Sequence, residues 1–333
     1  MADLTQPIDI SSFNQVAKKY QKEIKPVHML ESGNVTRYMT PVSGVRGSKV
    51  LTKMDKGSVL RQYDGTFKAD KTVGTPEQRT LSVYPVVAEV SDEPEKYRRT
   101  FIDEIYTEGV AGGDATGHRF LRWLLQFTVA VASEELYHAI WQASYTDGGG
   151  TLMDSFDGIE SIIAAEVAAG NLAVDASENK GNLYDPGGEF TTSNIGDKLK
   201  EMWRTAHPTM RERGGIMYMS QDMGDMYDDW YQTEHDKPPM VDTAGQTTLE
   251  GSNGKCKIVR LSCIDNQRVT LTDKSNLKYG FDKPSDMKSM KAFQSGNPYT
   301  FDAFMKFVFG TQIETINYRH FRASKRYDTA SGS

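Results

Sequence analysis

Residues 112–117 carry the most site-like glycine pattern of the chain. The segment Gly112-Gly-Asp-Ala-Thr-Gly117 has the spacing GxxxxG and precedes a helical pattern, as the first half of a phosphate-binding loop does. His118 and Arg119 follow, where such a loop has a lysine and a serine or threonine. Because the phosphate-reaching ammonium and the magnesium-binding hydroxyl are both missing, we interpret the segment as a hinge. A cytosolic nucleotide-binding enzyme stays as an alternative function.

Two further side chains have metal-ligand spacing. Glu135 and His138 match half of a di-iron helix motif, but that site needs a second ExxH and two more glutamate helices, which the sequence does not supply. Cys256 and Cys263 miss the CxxC spacing of zinc and redox motifs, and we expect them to be reduced strand residues. The sequence therefore predicts no metal, no cofactor and no catalytic residue, and hence no enzyme.

The densest acidic run follows residue 221. Asp225 and Asp229 share one face of a predicted helix, and Asp222 lies one turn away. The spacing is not that of a calcium-binding loop. We interpret the run as a solvated acidic helix face and as a candidate surface for another subunit, formed by Asp222, Asp225, Asp228 and Asp229.

Charge is unevenly distributed along the chain. The net charge of -6 over 333 residues gives no whole-protein reason to expect nucleic-acid binding. From Arg37 to Arg79, however, nine basic residues stand against four acidic ones, a local charge of +5 that leaves -11 for the remainder. A solvated basic loop and a nucleic-acid patch are the alternatives to a contact between subunits. The predicted inter-subunit cations are Arg37, Arg46, Lys49, Lys53, Lys56, Arg61, Lys68, Lys71 and Arg79.

The elements that carry these residues fall into three parts. Residues 1–30 form a polar leader, and residues 31–90 alternate Gly and Pro with β-prone pieces such as TLSVYPVVAEV, which predicts extended hairpin arms. This arm has too few large apolar side chains to fold alone, so we expect neighbouring subunits to complete it. The stretch His118–Tyr145 lacks Gly and Pro and shows two apolar stripes, one of them aromatic, which predicts a central helix packed on two sides that Gly148–Gly150 ends.

The remaining sequence predicts a mixed α/β region. We expect a helix ending at Gly170, an exposed loop or short hairpin over 171–194, a helix capped by Asn194 and closed by Pro208, and a second helix over DMGDMYDDWYQTEH with an acidic cap. Strands are expected in GGIMYMS, KCKIVRLSCI and RVTLTD, a loop in NLKYGFDKPSD, and strands with a glycine-marked bend in FMKFVFGTQIETINYRHFRA.

No targeting or membrane segment is predicted. The start MADLTQPIDISSF lacks the basic residues and the apolar run of a signal peptide. The most apolar stretch, Phe120–Ala132, is too short to span a bilayer and contains Arg122. We therefore expect a soluble protein that is made inside a cell and has no membrane partner.

The order of these parts resembles the major capsid protein of tailed double-stranded DNA phages, which has the Hong Kong ninety-seven type capsid fold. The resemblance implies an α+β fold with an N-terminal arm, an extended hairpin loop, a long spine helix, and peripheral and axial domains. The implied divisions are the N-terminal arm at 1–33, the extended loop at 34–90, the peripheral domain at 91–160 with its spine helix at 118–145, the axial domain at 161–272, and the return to the peripheral domain with the tail at 273–333.

What such a subunit does follows from the same resemblance. It assembles with itself into the hexamers and pentamers of an icosahedral phage head that encloses double-stranded DNA, beside a portal, other head proteins, and scaffold or decoration proteins. It belongs to the virion and is assembled in the bacterial cytoplasm. The implied DNA-facing residues are Arg319, Arg322, Lys325 and Arg326, with a solvated tail as the alternative. An encapsulin-like cargo shell shares this fold and stays open as a second interpretation.

Overall fold

A computed structural model gives the structure of the chain. It describes residues 33–62, 64–66, 71–93, 96–97, 118–174, 180–242, 246–286, 290–294 and 300–327. The polar leader and the predicted hinge at Gly112–Gly117 lie outside these ranges, so both stay predictions.

Within the described ranges, helices and strands are both abundant. The α-helices are α1 (Gly33–Thr36), α2 (His118–Gln142), α3 (Ile159–Ala168), α4 (Ile195–Arg204), α5 (Pro208–Arg213) and α6 (Gln221–His235). The strands are β1 (Thr40–Ser43), β2 (Ser48–Lys56), β3 (Gly74–Ser82), β4 (Tyr84–Asp92), β5 (Leu183–Tyr184), β6 (Gly215–Met219), β7 (Cys256–Arg260), β8 (Val269–Thr272), β9 (Leu277–Phe281), β10 (Lys291–Gln294), β11 (Phe301–Ile313) and β12 (Phe321–Ser324).

Strand β11 organises the first sheet. From Phe301 to Phe309 it pairs antiparallel with β4, and from Gly310 to Ile313 it pairs antiparallel with β9. β1 adds to β9 in parallel, and β10 adds to β11. The change of partner occurs at Gly310, where a Cβ atom would lie 2.0 Å from the carbonyl oxygen of Ser82. The predicted strands with a glycine between them are thus one continuous strand, and the missing side chain of Gly310 admits the end of β3.

Helix α2 packs against this sheet and confirms the predicted long helix, although it ends at Gln142 rather than Tyr145. The main core joins α2 to α3 and the first sheet, and its α2 members are Leu124, Leu125, Val129, Leu136, Ala139, Ile140 and Trp141. The predicted aromatic stripe is only partly covered, because Trp141 is buried whereas Phe127 is exposed. The buried aliphatic side chains together with Trp141 therefore hold the helix in place.

The second sheet has the strand order β5-β12-β8-β6-β7. Its two faces pack on different partners, because side chains alternate along each strand. Met217 and Ile258 lie in a core with Trp203 of α4 and Tyr227 of α6, whereas Val259 belongs to the main core with α2. The sheet therefore lies between α4 and α6 on one side and the main core on the other.

Four local predictions are wrong in detail. NLKYGFDKPSD contains β9 rather than only a loop, and the polar stretch 171–194 contains the buried strand β5. Pro208 is the first residue of α5, a position that its fixed φ favours, rather than the end of α4. The cap of α6 is Ser220, whose Oγ accepts a hydrogen bond from Met223 N at 3.2 Å, and not an acidic residue.

Among the described residues, no helix combines the length and the apolar character that crossing a bilayer requires.

Candidate assembly surfaces

The hairpin formed by β2 and β3 is a two-stranded sheet separate from the other two. Ser48 pairs with Ser82 at its root and Lys56 with Gly74 near its tip. The predicted extended hairpin is thus present, but TLSVYPVVAEV is divided between two roles. Its first part ends β3, and its second part is β4 of the first sheet.

One face of the hairpin is bound to the rest of the chain. Arg79 Nη2 lies 2.7 Å from Glu166 Oε1 of α3, and Lys53 Nζ lies 3.3 Å from Glu314 Oε2. Further along the same face, Asp55 Oδ2 accepts a hydrogen bond of 3.0 Å from Asn317 Nδ2.

Glu77 extends this contact. Its carboxylate accepts hydrogen bonds from Thr315 Oγ1 and from Ile316 N. Closer to the root, Leu51 and Leu81 pack in a small apolar cluster with Val45 and Val83. The hairpin therefore has a defined orientation on the body of its own chain.

The opposite face and the tip of the hairpin expose apolar side chains. Leu60 is 91% exposed and Val73 is 77% exposed. We call the following residues the exposed apolar set: Val50, Met54, Val59, Leu60 and Val73. Because contact of these apolar side chains with water is unfavourable, the hairpin is a candidate interaction surface.

The predicted inter-subunit cations have varied surroundings. Arg46 pairs with Asp282 and Arg61 with Asp64, as Lys53 and Arg79 pair with carboxylates of the same chain. Arg37 lies over the ring of Tyr38. Lys49 and Lys71 are exposed, whereas Lys68 and the side chain of Lys56 lie outside the described residues. Their contact with a neighbouring subunit stays a prediction, and Lys49 and Lys71 have the most accessible ammonium groups.

Helix α6 brings the predicted acidic residues together. Asp225 and Asp228 lie 3.4 and 2.5 Å from the guanidinium of Arg260 on β7. Asp222 and Asp229 are exposed. Because Asp222, Asp225 and Asp229 follow at intervals of three and four residues, they share one side of the helix, which we call the acidic face of α6.

The predicted DNA-facing residues divide into two groups. Arg319, Lys325 and Arg326 lie at least partly exposed and pair with Asp55, Asp185 and Glu189. Arg322 is fully buried, and its Nη1 donates to Met202 O at 2.8 Å and to Thr205 Oγ1 at 2.6 Å. Burial lowers the pKa of Arg322 to about 10. The prediction that Arg322 faces DNA is therefore wrong, because its guanidinium holds α4 to β12 and is closed to a phosphate.

A cavity of about 440 Å³ gathers five basic side chains, of which only Arg37 was among the predicted inter-subunit cations. We call this cavity the basic cleft. Its cations are Arg37, Arg213, Lys255, Lys257 and Lys274. They come from separate stretches of the chain, so no local charge count brings them together. Arg213 pairs with Asp273 at 2.9 Å and Lys257 with Asp242 at 2.7 Å.

The residues with metal-ligand spacing show no assembled site. Glu135 and His138 are both exposed on α2, and the described residues contain no group of three His, Cys, Asp or Glu side chains placed to hold a metal ion. Both cysteines are free and buried. Burial raises the pKa of the Cys263 thiol to about 12, which leaves it protonated and unreactive at neutral pH.

Glu160 is a buried carboxylate at the start of α3. Its Oε1 accepts a hydrogen bond of 2.9 Å from Asp265 N, and its Oε2 pairs with Arg268. Burial raises the pKa of Glu160 to about 7, although Arg268 opposes the shift. Gln142, the last residue of α2, donates to Asp265 Oδ1 at 2.8 Å, so this network joins α2, α3 and the turn before β8.

Known structures resemble this arrangement along nearly its whole length. The capsid of an empty GTA particle matches with a TM-score of 0.53 at 9% identity, over 88% of this chain and 90% of that one. The satellite phage P4 procapsid matches with 0.51 at 9% identity, over 93% and 98%. The cyanophage A-1(L) capsid matches with 0.52 at 11% identity, over 92% and 94%.

These likenesses identify the fold. The chain has the phage capsid fold of the Hong Kong ninety-seven type, which confirms the α+β class expected from the sequence. No protein-family model and no curated protein sequence matches it. At identities near 10%, the arrangement of helices and strands is what these proteins share.

Proposed function

We propose that this chain is the major capsid protein of a tailed phage, and that its activity is assembly into a closed shell. The fold matches capsid subunits over about nine-tenths of both chains. No enzyme chemistry enters this proposal.

The observation that carries the proposal is the amphipathic hairpin. Its inner face is bound to the chain's own body through Arg79 and Lys53, while Leu60 and Val73 project into solvent. An isolated subunit gains nothing from apolar side chains at the tip of a projecting hairpin. A subunit surrounded by copies of itself buries them, and each buried leucine or valine then contributes about 1.5–3 kcal/mol.

Repetition of one contact by rotation closes a ring. We propose that the rings are hexamers and pentamers and that they enclose double-stranded DNA, with a portal and other head proteins completing the particle. The partly exposed cations Arg319, Lys325 and Arg326 are the proposed contacts to DNA phosphates, which they would meet without sequence preference. The virion is the proposed location, after assembly in the bacterial cytoplasm.

Electron microscopy of the purified chain tests the proposal. We expect megadalton particles in size-exclusion chromatography, and rings or closed shells under negative stain. Small discrete particles under all salt conditions would contradict it. Nucleic-acid content separates the two shell functions: particles from infected cells that carry DNA and a portal favour a phage head, whereas particles filled with an enzyme favour a cargo shell.

A further inference from the structure

The basic cleft and the acidic face of α6 lie on opposite sides of the second sheet. Side chains alternate along β7, so Lys257 and Arg260 point to opposite faces. Lys257 lines the basic cleft, whereas Arg260 contacts Asp225 and Asp228 of α6. The sheet itself therefore prevents the two charged surfaces from neutralising each other within one chain.

Both surfaces keep charge that the chain leaves unbalanced. Two of the five cations in the cleft, Arg213 and Lys257, have carboxylate partners. Lys255 donates to the carbonyl oxygen of Glu212, and Lys274 is exposed at the rim.

On the other side, Arg260 offsets part of the charge of Asp225 and Asp228. Asp222 and Asp229 remain exposed on the acidic face of α6. Within the part of the chain that the structure describes, no ion pair involves Lys255, Lys274, Asp222 or Asp229. Among the described residues, these two lysines and two carboxylates therefore stay available for ion pairs with another molecule.

Rotational assembly requires two such surfaces. In a ring, each copy meets its two neighbours through different patches, and these patches must be complementary. We propose that the acidic face of α6 in one copy docks into the basic cleft of the next copy around the ring. This inference rests on the proposed function and names the contact that sets the order of subunits within one ring.

A second copy fits the cleft better than nucleic acid does. The cleft has its own carboxylates, Asp273 on its wall and Asp242 against Lys257, so its charge is mixed, whereas nucleic-acid interfaces are much more uniformly positive. Mixed charge of this kind is typical of a protein contact, in which complementary charges guide the register. DNA binding at the cleft is accordingly an outcome that the test must detect.

Reversing the charges of the basic cleft and of the acidic face of α6, separately and together, tests whether the two surfaces bind each other. Lys255→Glu with Lys274→Glu places like charges opposite the acidic face, and Asp222→Lys with Asp229→Lys does the same opposite the cleft. Each pair of substitutions is expected to reduce the yield of shells by about tenfold or more, because like charges at an interface are strongly unfavourable. The fourfold variant restores attraction with the signs exchanged, and we expect it to return most of the yield.

Controls separate folding from assembly. Lys283→Glu with Lys306→Glu makes the same charge change at exposed lysines outside the cleft, and it should assemble normally. Circular dichroism and thermal unfolding of each purified subunit report whether it folds. A folded Lys255/Lys274 variant that assembles at full yield would overturn the inference, and normal shells with reduced DNA content would assign the cleft to DNA instead.

The fourfold variant is decisive for the pairing. If each double variant fails to assemble and the fourfold variant also fails although its subunit is folded, the two surfaces are not partners. Failure of the unaltered chain to form shells would contradict the proposed function. Failure of the fourfold variant alone would contradict only the pairing of the two surfaces, so the two outcomes are distinguishable.

Discussion

Arg79 of β3 donates from Nη2 to Glu166 Oε1 of α3 at 2.7 Å, and this ion pair fixes the hairpin to the helix that follows α2. Both side chains are mostly enclosed, and Arg79 also reaches Gln312 of β11 at 3.3 Å. One arginine therefore joins three elements that are far apart in sequence. The orientation of the hairpin is therefore set by contacts within the single chain.

Loss of this ion pair should release the hairpin. We expect Arg79→Ala to lower the free energy of unfolding by about 2 kcal/mol. The charged hydrogen bond is lost, and the mostly enclosed carboxylate of Glu166 loses the cation that offsets its charge. Hydrogen exchange of amides in β2 and β3 should become faster, while that of α2 stays unchanged. Lys71→Ala, at an exposed lysine of the hairpin, is the matched control, and equal protection in both variants would refute the anchoring role.

Leu60 offers a direct test of the exposed apolar set. Leu60→Asp should leave the isolated subunit as stable as before, because the side chain is 91% exposed there. It should raise the concentration needed for assembly by about tenfold or more, since a leucine that becomes buried contributes about 1.5–3 kcal/mol. Light scattering against protein concentration measures this, with Leu60→Met as the variant expected to assemble. Normal assembly of Leu60→Asp would show that the tip stays in water.

The predicted electrostatic role of the arm can now be tested at better positions. Reversal of Arg46 or Lys53 would also break pairs with Asp282 and Glu314, so it mixes folding with assembly. Lys49→Glu with Lys71→Glu changes only exposed ammonium groups. We expect slower assembly, with a several-fold loss of rate at low salt that disappears near 1 M salt, where screening acts over about 3 Å. Rates that match the unaltered chain at every salt concentration would contradict an electrostatic arm.

Glu160 predicts a pH dependence of subunit stability. Burial raises its folded pKa to about 7, above the ordinary 4.5 of a glutamate, so between these pH values the folded state keeps a proton that the unfolded state has lost. Stability should therefore decrease as pH rises through this window, by up to about 1.4 kcal/mol per pH unit from this group. Above pH 7 its contribution should be constant.

Chemical denaturation of Glu160→Gln from pH 4.5 to pH 8 checks this sign, and the variant should lose that part of the slope. Glu134→Gln, at an exposed position of α2, is the control and should follow the unaltered chain. A steeper decrease of stability with pH in Glu160→Gln would contradict the assignment.

Elements with strong local patterns were predictable from sequence. Helix α2 follows from a long stretch free of Gly and Pro with apolar periodicity, and α3 and α6 follow from similar patterns. An extended hairpin was predicted between glycines, but its strands were not located, because TLSVYPVVAEV shares only Thr80–Ser82 with β3 and otherwise lies mainly in β4. For the helices, the information lies within the segment itself.

Strand β9 shows why other elements were missed. Its residues read as a loop, and it is a strand because β1 and β11 pair with it from opposite ends of the chain. Gly280, which looks like a turn residue, has its place because a Cβ there would lie 2.8 Å from Val83 Cγ1. Pairing between distant segments leaves no local periodicity to detect.

The candidate surfaces also differ in whether one segment or several distant segments form them. The acidic face of α6 comes from one helix and was predictable, whereas the basic cleft is assembled by the fold from separate segments. Arg322 is the opposite case, since a basic run near the chain end suggested exposure. The carbonyl group of Met202 and the hydroxyl of Thr205 enclose it instead.

Because side chains alternate between the two faces of each strand, the hairpin can be lengthened or shortened only in certain steps without exchanging its faces. Each strand has nine residues, which span about 30 Å at 3.3 Å per residue. Removing one residue from each strand at the root of the hairpin would turn Lys53 and Arg79 toward solvent and Val50 toward the body, because every side chain beyond the deletion would change face. Only steps of two residues, about 7 Å each, keep the inner face on its own chain and the outer face free. The length of the hairpin can therefore change only in units of about 7 Å if both of its faces are to keep their surroundings.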